Sequence, residues 1–210
     1  METSSQEIKA GDIAITVQDA QRAALIHWHL VGRSDLRAQL LADRHYSRKH
    51  PGDPQFCPPG HSIVLIIPRG AAAAALWVSH RPAPGALETP RADGFDYWDN
   101  PFFRNESGLR SSDLILEALA ITCYFWRDHL PPDGFHSFVD ETQVQGVKVR
   151  GEVVHGFCFF KAGFELAPER TKERHLLRWI MPLERLTSLT PLAPNWYTQN
   201  EQLPLFAAGE

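Results

Sequence analysis

Apolar and polar residues alternate near the start of the chain, where Ile13, Ile15 and Val17 share one side of a strand predicted over 11–17. Asp19 can cap a helix running to about residue 30, with Gly32 as its stop. Ser34 or Asp35 can cap a second helix, in which Leu36, Leu40 and Leu41 form an approximate stripe and Tyr46 lies near the end. Four prolines and two glycines crowd 49–60 and predict a loop, since proline removes a backbone donor and restricts its neighbour. Apolar runs over 62–67 and 72–79, joined at Pro68-Arg69-Gly70, predict two buried strands. The alanines of the second run favour helix by propensity, but the turn before them and Leu76-Trp77-Val78 after them favour strand.

A second Pro/Gly-rich loop spans 81–94, and the aromatic segment 95–106 includes a short strand near 101–105. The clearest helix follows. Ser111, Ser112 or Asp113 can cap it, 114–126 is apolar on nearly every side, and Pro131-Pro132 lies beyond its end. Strands are predicted at 135–139, 156–160 and 175–181, with a polar, glycine-containing loop after the first. The order predicts a mixed α/β (α+β) domain over 1–186, with a central, mixed, largely antiparallel sheet flanked by helices. From 187 to 210 little is periodic, and a tail is expected.

Composition narrows the class. With 210 residues, 43% of them hydrophobic, the chain can fill one core without metal or disulfide staples. Cys57, Cys123 and Cys158 are odd in number and widely spaced, as in a reducing compartment. The first residues lack the basic and apolar regions of a signal peptide, and the longest uncharged stretches are strand length, so a cytoplasmic protein with no membrane partner is expected. A net charge of -4 rules out nucleic-acid affinity from bulk charge. The stretch 33–49 is locally basic, however, and Arg44, Arg48 and Lys49 are candidate phosphate contacts; a solvated helix face would look the same.

Candidate chemistry concentrates in Arg44-His45-Tyr46-Ser47-Arg48, where an imidazole and a phenol between two guanidinium groups could supply a base and a donor. Arg104, at a strand end, and Ser111 and Ser112, at the start of the long helix, form a candidate anion site, although the serines also suit capping. Asp140 ends a predicted strand, a place that suits catalysis or an ordinary turn. Histidines and cysteines show no metal-ligand spacing, and no Rossmann, P-loop or GxSxG motif is present.

These residues carry a resemblance. From His45-Tyr46, through Arg104 and Ser111-Ser112, to Phe138-Val139-Asp140 and the run Gly156-Phe157-Cys158-Phe159-Phe160-Lys161-Ala162-Gly163-Phe164, the chain resembles phage DNA-modification proteins of the Mom type. Those proteins belong to the GNAT-like acyltransferase superfamily. The resemblance implies a GNAT-like fold, an acyl-CoA or related acyl donor, and transfer of an acyl-derived group to the adenine N6 amine in DNA. It assigns His45, Tyr46, Ser112 (or Ser111) and Asp140 to catalysis, and Arg104 and Ser111 to the donor. Two departures stand out: Phe159 and Phe160 occupy the place of a family tyrosine, and the spaced glycines of a pyrophosphate loop are missing from 104–112.

A second resemblance lies in the tail. Gln202-Leu203-Pro204-Leu205-Phe206 resembles the peptide by which bacterial proteins dock on the replicative sliding clamp, with Gln202 for a polar pocket and Leu203, Leu205 and Phe206 for apolar contact. It implies the clamp and DNA as partners. Two other expectations stay open: a clamp-recruited DNA accessory protein without catalysis, and a GNAT-like N-acyltransferase acting on a small amine or protein.

Overall fold

The computed structural model describes residues 26–83 and 93–196. The predicted strand at 11–17, the start of the helix after it and the clamp-like peptide at 202–206 lie outside them. Where that helix was expected to end, the chain is extended instead: β1 (His29–Val31) follows Trp28. The backbone N–H of Trp28 finds its acceptor in Glu117 (3.0 Å) and its indole in the Leu114 carbonyl (2.9 Å), so neighbouring elements satisfy donors that a helix would have satisfied internally.

Asp35 caps α1 (Leu36–Ala42), accepting from the amides of Arg37 and Ala38 at 2.9 and 3.2 Å. The predicted hairpin follows as β2 (His61–Arg69) and β3 (Ala72–Arg81), turning at Gly70 with φ of 57°. Its register slips at Pro68, which has no ladder donor. The alanines of β3 are strand because their smallness is used: Ala73 and Leu76 pack against Ala38, Leu41 and Ala42 of α1, with Phe56 and Cys57 of the intervening loop.

β4 (Trp98–Asn105) leads into α2 (Ser111–Trp126), which returns to β5 (Phe135–Val139) parallel to β4. Arg110 occupies the N-cap of α2 with no side-chain capping bond, so Ser111, Ser112 and Asp113 lie inside the helix rather than at its cap. The predicted burial of α2 holds: Leu114, Ile115, Leu119 and Ile121 are almost fully enclosed against Leu65, Trp77 and Phe135. Burial of that size is worth about 1.5–3 kcal/mol per large side chain.

The glycine-containing loop after β5 holds a small hairpin, β6 (Val147–Val149) with β7 (Glu152–Val154). The strand expected at 156–160 is instead a short helix, α3 (Phe157–Lys161). Gly156 enters it with φ of 79°, and Phe159 alone of its five residues is buried, while Phe157 and Phe160 stack at helical spacing. An apolar run thus mimics a buried strand although only Phe159 of it is fully enclosed.

β8 (Glu165–Leu166) precedes β9 (Leu177–Met181), the last strand expected; α4 (Leu183–Ser188) and β10 (Asn195–Trp196) complete the described chain. The boundary drawn at 186 falls inside α4, and Leu189 and Leu192 beyond it pack on the main core. The fold is mixed α/β. Its eight-stranded sheet runs β10-β1-β2-β3-β4-β5-β9-β8, antiparallel except for β1/β10 and β4/β5. α1 covers one face, α2 the other. Among the described residues no helix is long and apolar enough to cross a membrane, and no group of ligating side chains could hold a metal ion. The three cysteines are unpaired.

Candidate active site

The site begins with an irregularity in β4. Its ladder to β3 passes from Val78↔Phe102 to His80↔Asp99, so Ser79 faces both Asn100 and Pro101 in a β-bulge. The buried Asn100 amide secures it, donating to the carbonyls of Val78 and Phe102 at 2.9 Å each. On its other edge β4 pairs with β5 only through Trp98↔Phe135, Asp99↔His136 and Asn100↔Ser137. Both strands continue past that point, β4 to Asn105 and β5 to Val139, without bonding each other. A cavity of about 840 Å³ opens at this divergence.

His45, Tyr46 and Ser47 fill part of the gap and meet part of each open edge. Ser47 Oγ lies 3.2 Å from the Pro101 carbonyl of β4. The Tyr46 hydroxyl donates to the Phe138 carbonyl of β5 at 3.1 Å and accepts the Asp140 N–H at 3.4 Å. Three side chains thus stand where a strand's backbone would otherwise be needed. Tyr46→Phe is expected to lower unfolding free energy by about 1–3 kcal/mol, read by denaturant titration, because it orphans a part-buried carbonyl.

His45 stacks on Tyr46 at 4.4 Å between centroids, and its Nδ1 accepts the Ser47 N–H at 3.2 Å and sits 2.7 Å from Ser47 Oγ. With Nδ1 accepting, the neutral ring carries its proton on Nε2. Burial, helped by the charge of Arg104 and opposed by a hydrogen bond to the Phe103 backbone, pushes the imidazole pKa down to about 4. An unfolded chain takes up this proton near pH 6.5, so stability from the neutral ring is complete above that pH and falls as pH approaches 4. The contribution is on the order of 3 kcal/mol, and unfolding titrations of His45→Gln are expected to lack that part of the acid slope.

Burial also raises the Tyr46 phenol, which therefore remains a donor at neutral pH. The two thiols in the lining are raised by burial as well, Cys158 to about 11, so neither is a ready thiolate at neutral pH.

The remaining candidates divide. Ser111, Arg48 and Lys49 line the cavity with His45 and Tyr46; Ser112, Asp140, Arg44 and Arg104 do not. Ser111 Oγ accepts from Asn105 at 2.9 Å. Ser112 is buried in α2, its hydroxyl 3.3 Å from Asp113. The Asp140 carboxylate accepts from the hydroxyl and amide of Thr142 at 2.6 and 3.0 Å, bonds that hold its pKa below the ordinary range. Arg44 and Arg104 share Glu106, at 3.0 and 2.5 Å. Arg48 is turned inward, paired with Asp43 at 2.8 Å and bonded to the carbonyls of Gln55 and Asp53. Gln202, Leu203, Leu205 and Phe206 lie outside the described residues.

Sequence reasoning placed Ser47 in its candidate cluster without a role of its own and did not assign His50, Asn100 or Arg174 to a site, although all four are in the lining. Arg174 comes from a charged stretch that reads as ordinary solvated loop, and Asn100 carries no motif at all. The segment from Asn105 to Ser111, which lacks the spaced glycines of a pyrophosphate loop, is closed on itself: Asn105 donates to the Leu109 carbonyl (2.8 Å) and accepts from the Ser107 amide (3.0 Å) and hydroxyl (2.6 Å).

No protein-family model matches the chain, and neither a curated protein nor a solved structure matches it significantly.

Proposed function

We propose that this chain is a GNAT-like group-transfer enzyme that moves an acyl-type group onto the N6 amine of adenine in DNA. The observation that carries the reading is the divergence of parallel β4 and β5 beyond Asn100 and Ser137, with a bulge at its root and the cavity at its mouth. The part of these two edges that His45, Tyr46 and Ser47 leave unpaired is what an extended donor could use in place of a neighbouring strand. Phe102, Phe103, Val139 and Phe159 provide apolar walls, and Ser111 a polar group, for an acyl-CoA or related donor. The donor would supply an activated carbonyl.

The chain's part is to hold the acceptor amine and move its proton. The Ser47 hydroxyl lies 2.7 Å from His45 Nδ1; turned from the Pro101 carbonyl to that nitrogen, it gives its proton to the imidazole as Oγ takes the one the amine loses. An imidazole with a pKa near 4 is a weak base, but the nitrogen of an arylamine becomes strongly acidic as it bonds to carbonyl carbon. The two tendencies are matched. Positioning of the poorly nucleophilic amine must provide much of the remaining acceleration. Asp140, tied to Thr142, is the weaker candidate for the base.

The absence of any carboxylate from the described lining favours an anionic acceptor such as DNA over a cationic amine. Recruitment through 202–206 to the sliding clamp would place the enzyme on replicating DNA, and is the role that also fits a non-catalytic accessory protein.

Incubation of the protein with acetyl-CoA and a short adenine-containing single strand tests the reading directly. The expected result is an acyl mass gain on the strand, with release of free thiol, and none on a strand whose adenines are N6-methylated. Thiol release with a small amine or peptide but not with DNA would replace this reading with the small-amine one.

A further inference from the structure

Charge is distributed unevenly around this cavity. The whole chain carries -4, yet the described lining contains Arg48, Lys49 and Arg174, the imidazoles of His45 and His50, and no aspartate or glutamate. Most arginines nearby are already occupied. Arg44 and Arg104 share the single carboxylate of Glu106, Arg170 pairs with Glu141 at 2.8 Å, and Arg48 pairs with Asp43. Lys49 and Arg174 differ: both are exposed, both line the cavity, and neither makes a hydrogen bond or ion pair among the described residues. Arg174 feels the Asp140 carboxylate at Coulombic range, but that group is committed to Thr142.

We propose that Lys49 and Arg174 form a phosphate site at the mouth of the cavity, beside His50. The proposal rests on the transfer reading to the extent that it takes this cavity as the reaction site, and it names the substrate class: a phosphate-bearing nucleotide. The two cations come from separate loops, one before β2 and one before β9, and neither has a bond among the described residues to break before it meets a phosphate. Phe56 and Phe138 in the same lining offer apolar surface to the attached ring. This assigns the phosphate contacts to cations other than Arg44, Arg48 and Arg104, whose guanidinium groups are engaged by the protein itself. It also places them away from the amino end of α2, where Asn105 closes the loop and Glu106 is acidic. The same chemistry could come from a DNA backbone or from the pyrophosphate of a nucleotide-bearing donor such as coenzyme A.

Binding of a fluorescent, adenine-containing single strand and of coenzyme A should be measured for the wild type, for the double variant Lys49→Ala/Arg174→Ala and for Lys148→Ala. Lys148 is an exposed cation on β6 outside the lining. The double variant is expected to bind at least one ligand about tenfold or more weakly, since each lost phosphate contact removes a counterion-release contribution. If the strand is affected, the slope of log K against log salt should become shallower by about 0.7 per cation removed; DNA is then the source. Loss confined to coenzyme A makes the donor the source. Equal binding by the double variant and the wild type, an equal loss in Lys148→Ala, or a wild type that binds neither ligand overturns the site. Binding that depends on Lys49 and Arg174 while no acyl product forms on DNA retains the phosphate site and removes the transfer reading.

Discussion

His45→Ala is expected to lower acyl transfer to DNA by about a hundred- to ten-thousand-fold, the usual contribution of a positioned proton acceptor. The ring joins the Ser47 hydroxyl to the Phe103 backbone and is neutral at physiological pH. A purely structural ring would make a different prediction, because glutamine can also present an acceptor to the Ser47 N–H. His45→Gln should therefore restore much of the stability lost in His45→Ala and little of the transfer, with unfolding titrations and product yield measured on the same preparations. Rescue of both by glutamine would identify His45 as a spacer and leave proton transfer to another group.

Trp77→Ala is expected to have the largest effect on stability, about 3–5 kcal/mol, against a total of about 5–15 kcal/mol for a typical domain. Trp77 is fully buried on β3 and reaches both strands that diverge. It meets Phe103 of β4 edge-on and stacks on Phe135 of β5, each at 5.6 Å between centroids. Its indole donates to Ser79 Oγ at 2.7 Å, and Ser79 lies 2.6 Å from Thr122 Oγ1 of α2. Removing the ring leaves a cavity under the divergence and deprives that buried pair of a donor. Trp77→Phe keeps the aromatic contacts and is expected to cost less than Trp77→Ala in the same thermal or denaturant titration. If Trp77→Ala unfolds no more easily than the wild type, Trp77 is not the support of the two strands.

The contrast between what the sequence foretells and what the structure adds has a physical basis. The β2–β3 hairpin and α2 could be read because their signals are local: an apolar run, a glycine turn, a helix bounded by Pro131-Pro132. The residues of β1 could not, because three residues beside Trp28 have no decisive period and become strand only by pairing with β2 and β10. α3 misled for the opposite reason: five apolar or aliphatic-stemmed residues suggest burial on two faces, and only Phe159 has it.

The site follows the same division. His45 and Tyr46 stood out as unusual neighbours in sequence, and the structure places them together at one cavity. The opening they border is a matter of register between β4 and β5, strands separated by a whole helix, and no local pattern encodes it. Nor could the sequence separate free cations from committed ones. Arg44, Arg48 and Lys49 look alike along the chain, yet Glu106 and Asp43 engage the first two and leave Lys49 uncommitted, while Arg174 joins the cavity from far downstream.

The central claim, group transfer to adenine in DNA, is tested most directly by nucleoside mass spectrometry of total DNA from cells expressing the wild type beside cells expressing His45→Ala at equal soluble levels. The account predicts a new deoxyadenosine-derived mass in the wild-type sample and its near absence in the variant. Identical nucleoside spectra, with soluble protein present and an acyl-CoA pool in the host, would contradict it and favour the clamp-recruited accessory role.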